Sequence, residues 1–427
     1  MLDDTLLDDP AALRRADHDR ALLALAGSGA RVRTALRLAE AAGIDRLRPD
    51  GRPRAVLVAG HGSALTAAEM LAALAGTASL VSPLPPADAA PVPRTDRATA
   101  PPVFTAGLAW QLPGWAGPLD LLVVSSADGG EQGLVALAEQ AYARGCAIVV
   151  VAPEGSPLAG AALQVRALPL PFVPSALSSD SPDDGTPPAA AYAAEPDLPA
   201  EDPAALWSHL TPLLALCQKL GVTQLPYDAL AATADLLDES AVRCRPDAAA
   251  YTNPAKGLAA RLAGTVPLLW AEGPVAGAAA GRFAAQLADR AGRPALAGPL
   301  PQVLTAHRGM FTGQLGAGAD PDDFFRDRVE EPDPLHLQVL LLRHIPGDQP
   351  SAAPAGPGEP DDGPAEVPAD DEGPRSFGAT RAHRLAAAHD VRLTEYASRR
   401  ADPLHALADL VALTDFAAVY LGLAAQS

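Results

Sequence analysis

The stretch Asp120–Pro153, DLLVVSSADGGEQGLVALAEQAYARGCAIVVVAP, decides the fold. It opens on an apolar run, Leu121–Val124, and enters a polar, glycine-containing loop, Ser125–Gly130. A helical pattern follows over Glu131–Arg144, with Leu134, Leu137, Ala138 and Ala141 at the spacing of one helix face. Gly145 ends the helix, and a second apolar run, Cys146–Val151, stops at Pro153. Strand, loop, helix and strand in this order predict two parallel neighbours, because a helical crossover returns the chain to the same edge of a sheet. Both strands are continuously apolar, the pattern of a sheet covered on both faces. The loop then lies at the carboxyl end of a strand and the amino end of a helix, where such folds bind ligands.

The same unit recurs on either side. Arg54–Gly60 (RAVLVAG) reads as a strand, Gly60-His61-Gly62-Ser63 as a loop and Ala64–Ala75 as a helix. Val266–Ala271, Glu272–Gly277 and Ala278–Ala291 repeat it in the second half. Thr77–Val81, Val165–Pro174, Arg293–Ala297, Leu337–Leu342 and Val391–Leu393 are predicted as further strands. Helices are predicted within 8–43 (broken near Gly27–Gly29) and over Pro203–Leu220, Tyr227–Cys244 and His383–His389. Another starts at Asn253, a good N-cap followed by Pro254. The final helix, Pro403–Ala425, is strongly apolar and is expected to pack across the domains.

Composition narrows the function classes. The 427 residues carry a net charge of −19, which argues against nucleic acid and anionic membranes as partners. Hydrophobic residues make up 48% and aromatics 4%, so the core is mostly Ala, Leu and Val. The three cysteines, Cys146, Cys217 and Cys244, show no metal-ligand spacing and fit a reducing compartment. The acidic start MLDDTLLDD is no signal peptide, and no apolar run approaches the roughly 18 residues that span a bilayer. A cytoplasmic location is the expectation. Three stretches rich in Pro, Ala, Asp or Ser, at 82–104, 175–202 and 345–376, read as loop, insertion and linker.

Five stretches carry a family resemblance: GHGSALTAAEM (60–70), VVSSADGGEQGL (123–134), NPAKGLAARLAGTVPLLWAEG (253–273), GRFAAQLADRAGRPALAGPLP (281–301) and TDFAAVYLGLA (414–424). The chain resembles the SIS (sugar isomerase) proteins, and within them the bifunctional phosphoglucose/phosphomannose isomerases. The resemblance implies an α/β protein: two SIS-type, flavodoxin-like, three-layer αβα domains with parallel sheets, plus flanking helices. The expected division is 1–49 N-terminal helices, 50–174 first SIS domain, 175–202 insertion, 203–244 interdomain helices, 245–344 second SIS domain, 345–376 linker and 377–427 C-terminal helices. A ligand between two such sheets, no metal or organic cofactor, a sugar phosphate as small-molecule partner and a homodimer complete the expectation.

The motifs depart from the family pattern. The family's S-x-S-G-N-T phosphate loop falls on Ser125, with Ser126 beside it, Ala127 at the second Ser, Asp128 at the Gly and Gly130 at the Thr. A carboxylate beside a phosphate is repulsive. Gly62 and Ser63 stand for the first glycine loop, with Ser63 one residue early. Asp289 falls on the family's Glu base, one methylene shorter, and a displacement of about 1 Å can cost on the order of 100-fold in rate. His307 lies two residues late for the ring-opening His. No lysine occurs after Lys256, and Asp202–Leu206 has no arginine for the phosphate side. The candidate set is therefore Asp289 and His307 for catalysis, and Gly62, Ser63, Ser125, Ser126, Gly129, Gly130 and Arg282 for phosphate, with His61 at the pocket mouth. The plainer alternatives are a turn and cap for the serines, a solvated acid beside Arg290 for Asp289, a surface loop for His307 and a carboxylate partner for Arg282. Two functions follow: a glucose-6-phosphate/mannose-6-phosphate aldose–ketose isomerase, or a degenerate SIS module acting as a sensor, regulator or assembly partner.

Overall fold

A computed structural model describes residues 4–47, 51–87, 108–173, 201–313, 335–346, 364–367 and 376–425. Most of the three Pro-rich stretches lies outside them. The chain divides into a middle unit, Ala30–Ala231, and a terminal unit made of Met1–Gly29 with Ala232–Ser427.

The middle unit holds a five-stranded sheet of β1 (Ala55–Ala59), β2 (Leu80–Leu84), β3 (Leu121–Ser125), β4 (Ala147–Ala152) and β5 (Leu168–Pro171), ordered β2-β1-β3-β4-β5 and parallel throughout. This is the flavodoxin-like order, with its switch point between β1 and β3. Strand alternation sorts the side chains: Leu122 and Val124 join the cluster of Trp110, Leu134, Leu137 and Ile148, so Leu121, Val123 and Ser125 face the other way. The decisive stretch behaves as read, with helix Gln132–Ala143 joining β3 to β4. Two details differ. The strand expected at Thr77–Val81 lies later, as β2, and a short helix, Pro157–Gln164, intervenes before β5. The side chain of Ser156 caps that helix and Pro157 suits its first turn.

The terminal unit's sheet runs β7-β6-β8-β10-β9, from β6 (Thr265–Glu272), β7 (Leu296–Pro299), β8 (His336–His344), β9 (Ala365–Glu366) and β10 (Arg392–Ser398). All pairs are parallel except β9 with β10. β10 is longer than the expected Val391–Leu393, and β9 falls inside the segment read as linker. Helix Pro274–Ala291 starts four residues earlier than read. Asn253 caps helix Pro254–Leu262 as expected, its Oδ1 accepting from the backbone N–H groups of Ala255 (3.0 Å) and Lys256 (3.1 Å).

Helix Pro403–Ala425 corrects the reading of apolar runs. It is 23 residues long and holds an 18-residue window of mean hydropathy 1.7, enough by length and composition to cross a membrane, yet that window is 100% buried. It is a core helix, packed against Pro274–Ala291, Pro254–Leu262 and Ala21–Ala26 of its own unit. Each fully buried Leu, Val or Phe on it contributes about 1.5–3 kcal/mol.

Candidate functional site

In the middle unit the ligand position of the fold is the crevice at the carboxyl ends of β1 and β3. The chain fills it with its own groups. Gly62 opens helix Gly62–Ala75 with φ +53°, and a Cβ there would meet Glu201 Oε1 at 1.7 Å. The backbone N–H of Ser63 donates to both Glu201 carboxylate oxygens at 2.9 Å, and its hydroxyl donates to Oε2 at 2.6 Å. Glu201 thus occupies the helix N-terminus that an anionic ligand would use. Its neighbour Asp202 pairs with Arg31 at 2.5 Å and accepts from the Ala204 N–H, which fixes this segment.

The loop after β3 closes on itself. The Ser126 hydroxyl accepts from the N–H groups of Gly129 (2.7 Å) and Asp128 (3.3 Å) and donates to Glu131 Oε2 (2.6 Å). Asp128 Oδ1 accepts from the Gly130 N–H at 2.7 Å, and the Ser126 N–H goes to Val151 O. Gly129, at φ +71°, is held against Ser156, whose Oγ would lie 2.3 Å from an added Cβ. The donors that would cradle a phosphate are therefore bound within the loop.

His61 and Glu131 complete the crevice, with Nε2 and Oε1 at 2.8 Å. The Glu131 hydrogen bond holds the His61 imidazole above its ordinary range against burial, helped by the charges of Glu131, Glu201 and Asp128. Burial opposes ionisation of Glu131, but the His61 and Ser126 bonds outweigh it and hold its carboxyl well below the usual range. His61 thus faces three carboxylates, an electrostatic setting hostile to a phosphate dianion. Among the described residues no three His, Cys, Asp or Glu side chains converge as metal ligands would.

Ser125 does not reach this crevice. Alternation turns it to the face covered by helix Ala205–Lys219, where its Oγ bonds His209 Nδ1 at 2.8 Å. His209 stacks on Phe172, with ring centroids 4.5 Å apart. Burial, with a smaller push from His61, takes its pKa down to about 3. Ser125 is a core contact, and its reading as a phosphate ligand is corrected on that geometry.

The terminal unit disperses the other candidates. Arg282 is buried, and its guanidinium forks onto Asp415, with Nε to Oδ1 at 2.9 Å and NH2 to Oδ2 at 2.8 Å. That pair ties helix Pro274–Ala291 to Pro403–Ala425, so the phosphate reading of Arg282 is corrected to a structural one. Asp289 is exposed and paired with Arg290 at 2.9 Å. It sits roughly 22 Å along its helix from the end at which β6 delivers the chain, which removes it from the ligand end of this sheet. At that end Arg343 bridges Glu272 (2.5 Å) and Glu395 (2.6 Å), and His383 adds a bond to Glu395 at 3.0 Å. His307 Nδ1 accepts the Trp270 indole N–H at 3.0 Å. Burial lowers its pKa, which favours the neutral ring, and the contact implies the tautomer protonated at Nε2. Lys256 donates to the carbonyls of Pro246 (2.7 Å) and Ala248 (2.8 Å), a structural role.

Sequence reasoning missed Glu201, His209, Arg343 and Glu395. They meet their partners 12 to 138 residues away in sequence.

Comparisons with known proteins agree with this architecture. Residues 251–348 match the bacterial phospho-glucose isomerase C-terminal SIS domain. Among solved structures, a hypothetical protein from Thermus thermophilus aligns with a TM-score of 0.52 and 13% identity, covering 98% of this chain and 89% of the other. The C-terminal domain of glucosamine-fructose-6-phosphate aminotransferase from Francisella tularensis aligns with a TM-score of 0.50 and 9% identity, covering 96% and 97%. No curated protein matches the sequence significantly. Over residues 251–348 the chain is similar to the C-terminal SIS domain of bacterial phosphoglucose isomerases, and as a whole it shares the fold of these solved structures.

Proposed function

We propose that this chain is a catalytically silent SIS module, with a regulatory or assembly role in place of sugar-phosphate turnover. The observation that carries the proposal is Glu201, whose carboxylate takes the Ser63 N–H and hydroxyl at the position an incoming phosphate would use. Asp128 and Glu131 add negative charge to the same crevice, and Asp289 and Arg282 are engaged in ion pairs of their own. An isomerase needs a base beside the carbon that loses its proton and a held phosphate. The described residues supply neither in one place.

The test is a coupled assay for fructose 6-phosphate formed from glucose 6-phosphate or mannose 6-phosphate, run beside thermal shift with both substrates. The expected result is no turnover above the blank and no shift. Turnover of either substrate above the blank would overturn the proposal.

A second reading, a glucose-6-phosphate/mannose-6-phosphate isomerase, is favoured by the match over residues 251–348 and by His307, which keeps Nε2–H to donate. It predicts turnover that His307→Ala abolishes.

A further inference from the structure

Helix Phe377–Ala388 has one face that the fold leaves unused. Its buried residues are Ala379, Ala382 and Ala386. The Ser376 cap and the bond from His383 to Glu395 of β10 fix it in place. Phe377, Arg381 and Arg384 follow one another at helical spacing, which lines them up along the outer face. Opposite them stands the segment after β7, with Leu304, Thr305 and Arg308. The two walls touch at Gly378, where an added Cβ would meet Leu300 Cβ at 3.2 Å. Between them lies a cavity of about 590 Å³, within the range of small-molecule sites.

The wall carries three guanidiniums, Arg308, Arg381 and Arg384, and among the described residues no carboxylate lines it. The whole chain has 51 acidic residues to 32 basic ones, so three arginines without an acid run against its composition. Among the described residues Arg308 and Arg384 make no ion pair or hydrogen bond. Arg381 lies over the Phe377 ring, 5.2 Å from its centroid. Like charges one helical turn apart repel each other, and an oxyanion placed between them would reverse the sign of that effect. Guanidinium forks match phosphate oxygens in pairs. Thr305 and Gln302 add neutral donors to the same wall. Leu304, Leu385 and Phe377, the last 70% exposed, give it an apolar side. We infer that this cavity binds a small organic phosphate, with the phosphate held by Arg308, Arg381 and Arg384 and an apolar group laid on Leu304, Leu385 and Phe377. The inference does not depend on whether the protein turns over a sugar phosphate, since a hexose presents hydroxyls where this wall offers carbon.

Phenyl phosphate is the probe, with inorganic phosphate and glucose 6-phosphate beside it. The experiment is isothermal titration of the full chain at low ionic strength in a phosphate-free buffer. Three proteins are compared: wild type, Arg308→Gln/Arg384→Gln, and Arg14→Gln/Arg37→Gln as a control for net charge. All four arginines are exposed, so both double variants are expected to fold normally, with circular dichroism unchanged. Phenyl phosphate is expected to bind wild type and the control alike, and more tightly than either comparison anion. Loss of the two charge-assisted contacts is expected to weaken it about tenfold or more in Arg308→Gln/Arg384→Gln. No binding of phenyl phosphate to wild type, equal binding by wild type and Arg308→Gln/Arg384→Gln, or the same loss in the control would overturn the inference. Phenyl phosphate binding no tighter than inorganic phosphate would overturn the assignment of the apolar side.

Discussion

The Ser125–His209 contact gives a quantitative test of how the middle unit is built. His209 is fully buried with a pKa of about 3, against an ordinary value of 6.5. The folded state therefore binds fewer protons than the unfolded state between these values. Stability conferred by the neutral ring is complete above pH 6.5 and is lost as pH falls toward 3. At pH 5 the unfolded chain carries the proton and the folded one does not. At about 1.4 kcal/mol per pH unit below 6.5, the middle unit loses about 2 kcal/mol between pH 7 and pH 5 through this one residue. Replacing both partners, as Ser125→Ala/His209→Phe, removes the titrating group without leaving an unpaired polar atom. Any constant packing cost cancels when the comparison is between pH values. Urea unfolding can be followed by tryptophan fluorescence, since Trp110, Trp115 and Trp207 of the four tryptophans lie in this unit. Wild type is expected to lose about 2 kcal/mol more than the double variant from pH 7 to pH 5. Equal losses in the two proteins would refute the assignment of His209 as a neutral core residue.

Three further outcomes are expected. Glu201→Ala uncaps helix Gly62–Ala75 and lowers stability by about 1–2 kcal/mol; inorganic phosphate is expected to raise the melting temperature of the variant more than that of wild type, and an equal response would count against Glu201 as occupant of an anion position. Asp415→Asn strands a buried guanidinium and is expected to cost about 3–5 kcal/mol, while Arg282→Met/Asp415→Leu recovers most of it; denaturation of the three proteins checks this, and a mild single variant would contradict the structural role of Arg282. Asp289→Ala removes an exposed ion pair and is expected to change stability by less than about 0.5 kcal/mol, which a thermal melt would show.

The fold was legible wherever apolar periodicity was undisturbed by charge. Leu121–Ser125, Ala147–Ala152 and helix Gln132–Ala143 lie within a residue or two of their reading, and the parallel pairing follows from the crossover length. β10 was largely hidden because RLTEYAS places Arg392 and Glu395 in a strand. Glu395 is tolerated there only because Arg343 and His383 meet it. The site was less legible for the same kind of reason. A motif read along the chain locates Ser125, Ser126 and Ser63 but not what they face. Ser63 meets Glu201, and Arg282 meets Asp415 133 residues later. Such pairings depend on how helices are laid on sheets, which no local spacing records. The Asn253 cap, by contrast, is settled within three residues and was read correctly.

The interleaving of the two units along the chain sets a timetable for synthesis. Residues up to Ala231 leave the ribosome first, and Ala30–Ala231 then holds all five strands of its own sheet. The first 29 residues belong to the other unit, and Ala21–Ala26 packs on helix Pro403–Ala425. Its strand β10 and that 23-residue helix are translated only after the whole of the middle unit. The Ala21–Ala26 segment must therefore wait, through the making of all the intervening residues, for the strongly apolar helix it packs against. At elongation rates of about 5–20 residues per second that wait is on the order of 20–80 seconds. Ribosome-bound chains stopped before residue 403 are thus expected to hold a finished middle unit beside an unfinished terminal one, with Leu22 and Leu25 open to chaperones until Pro403–Ala425 is made and buries them.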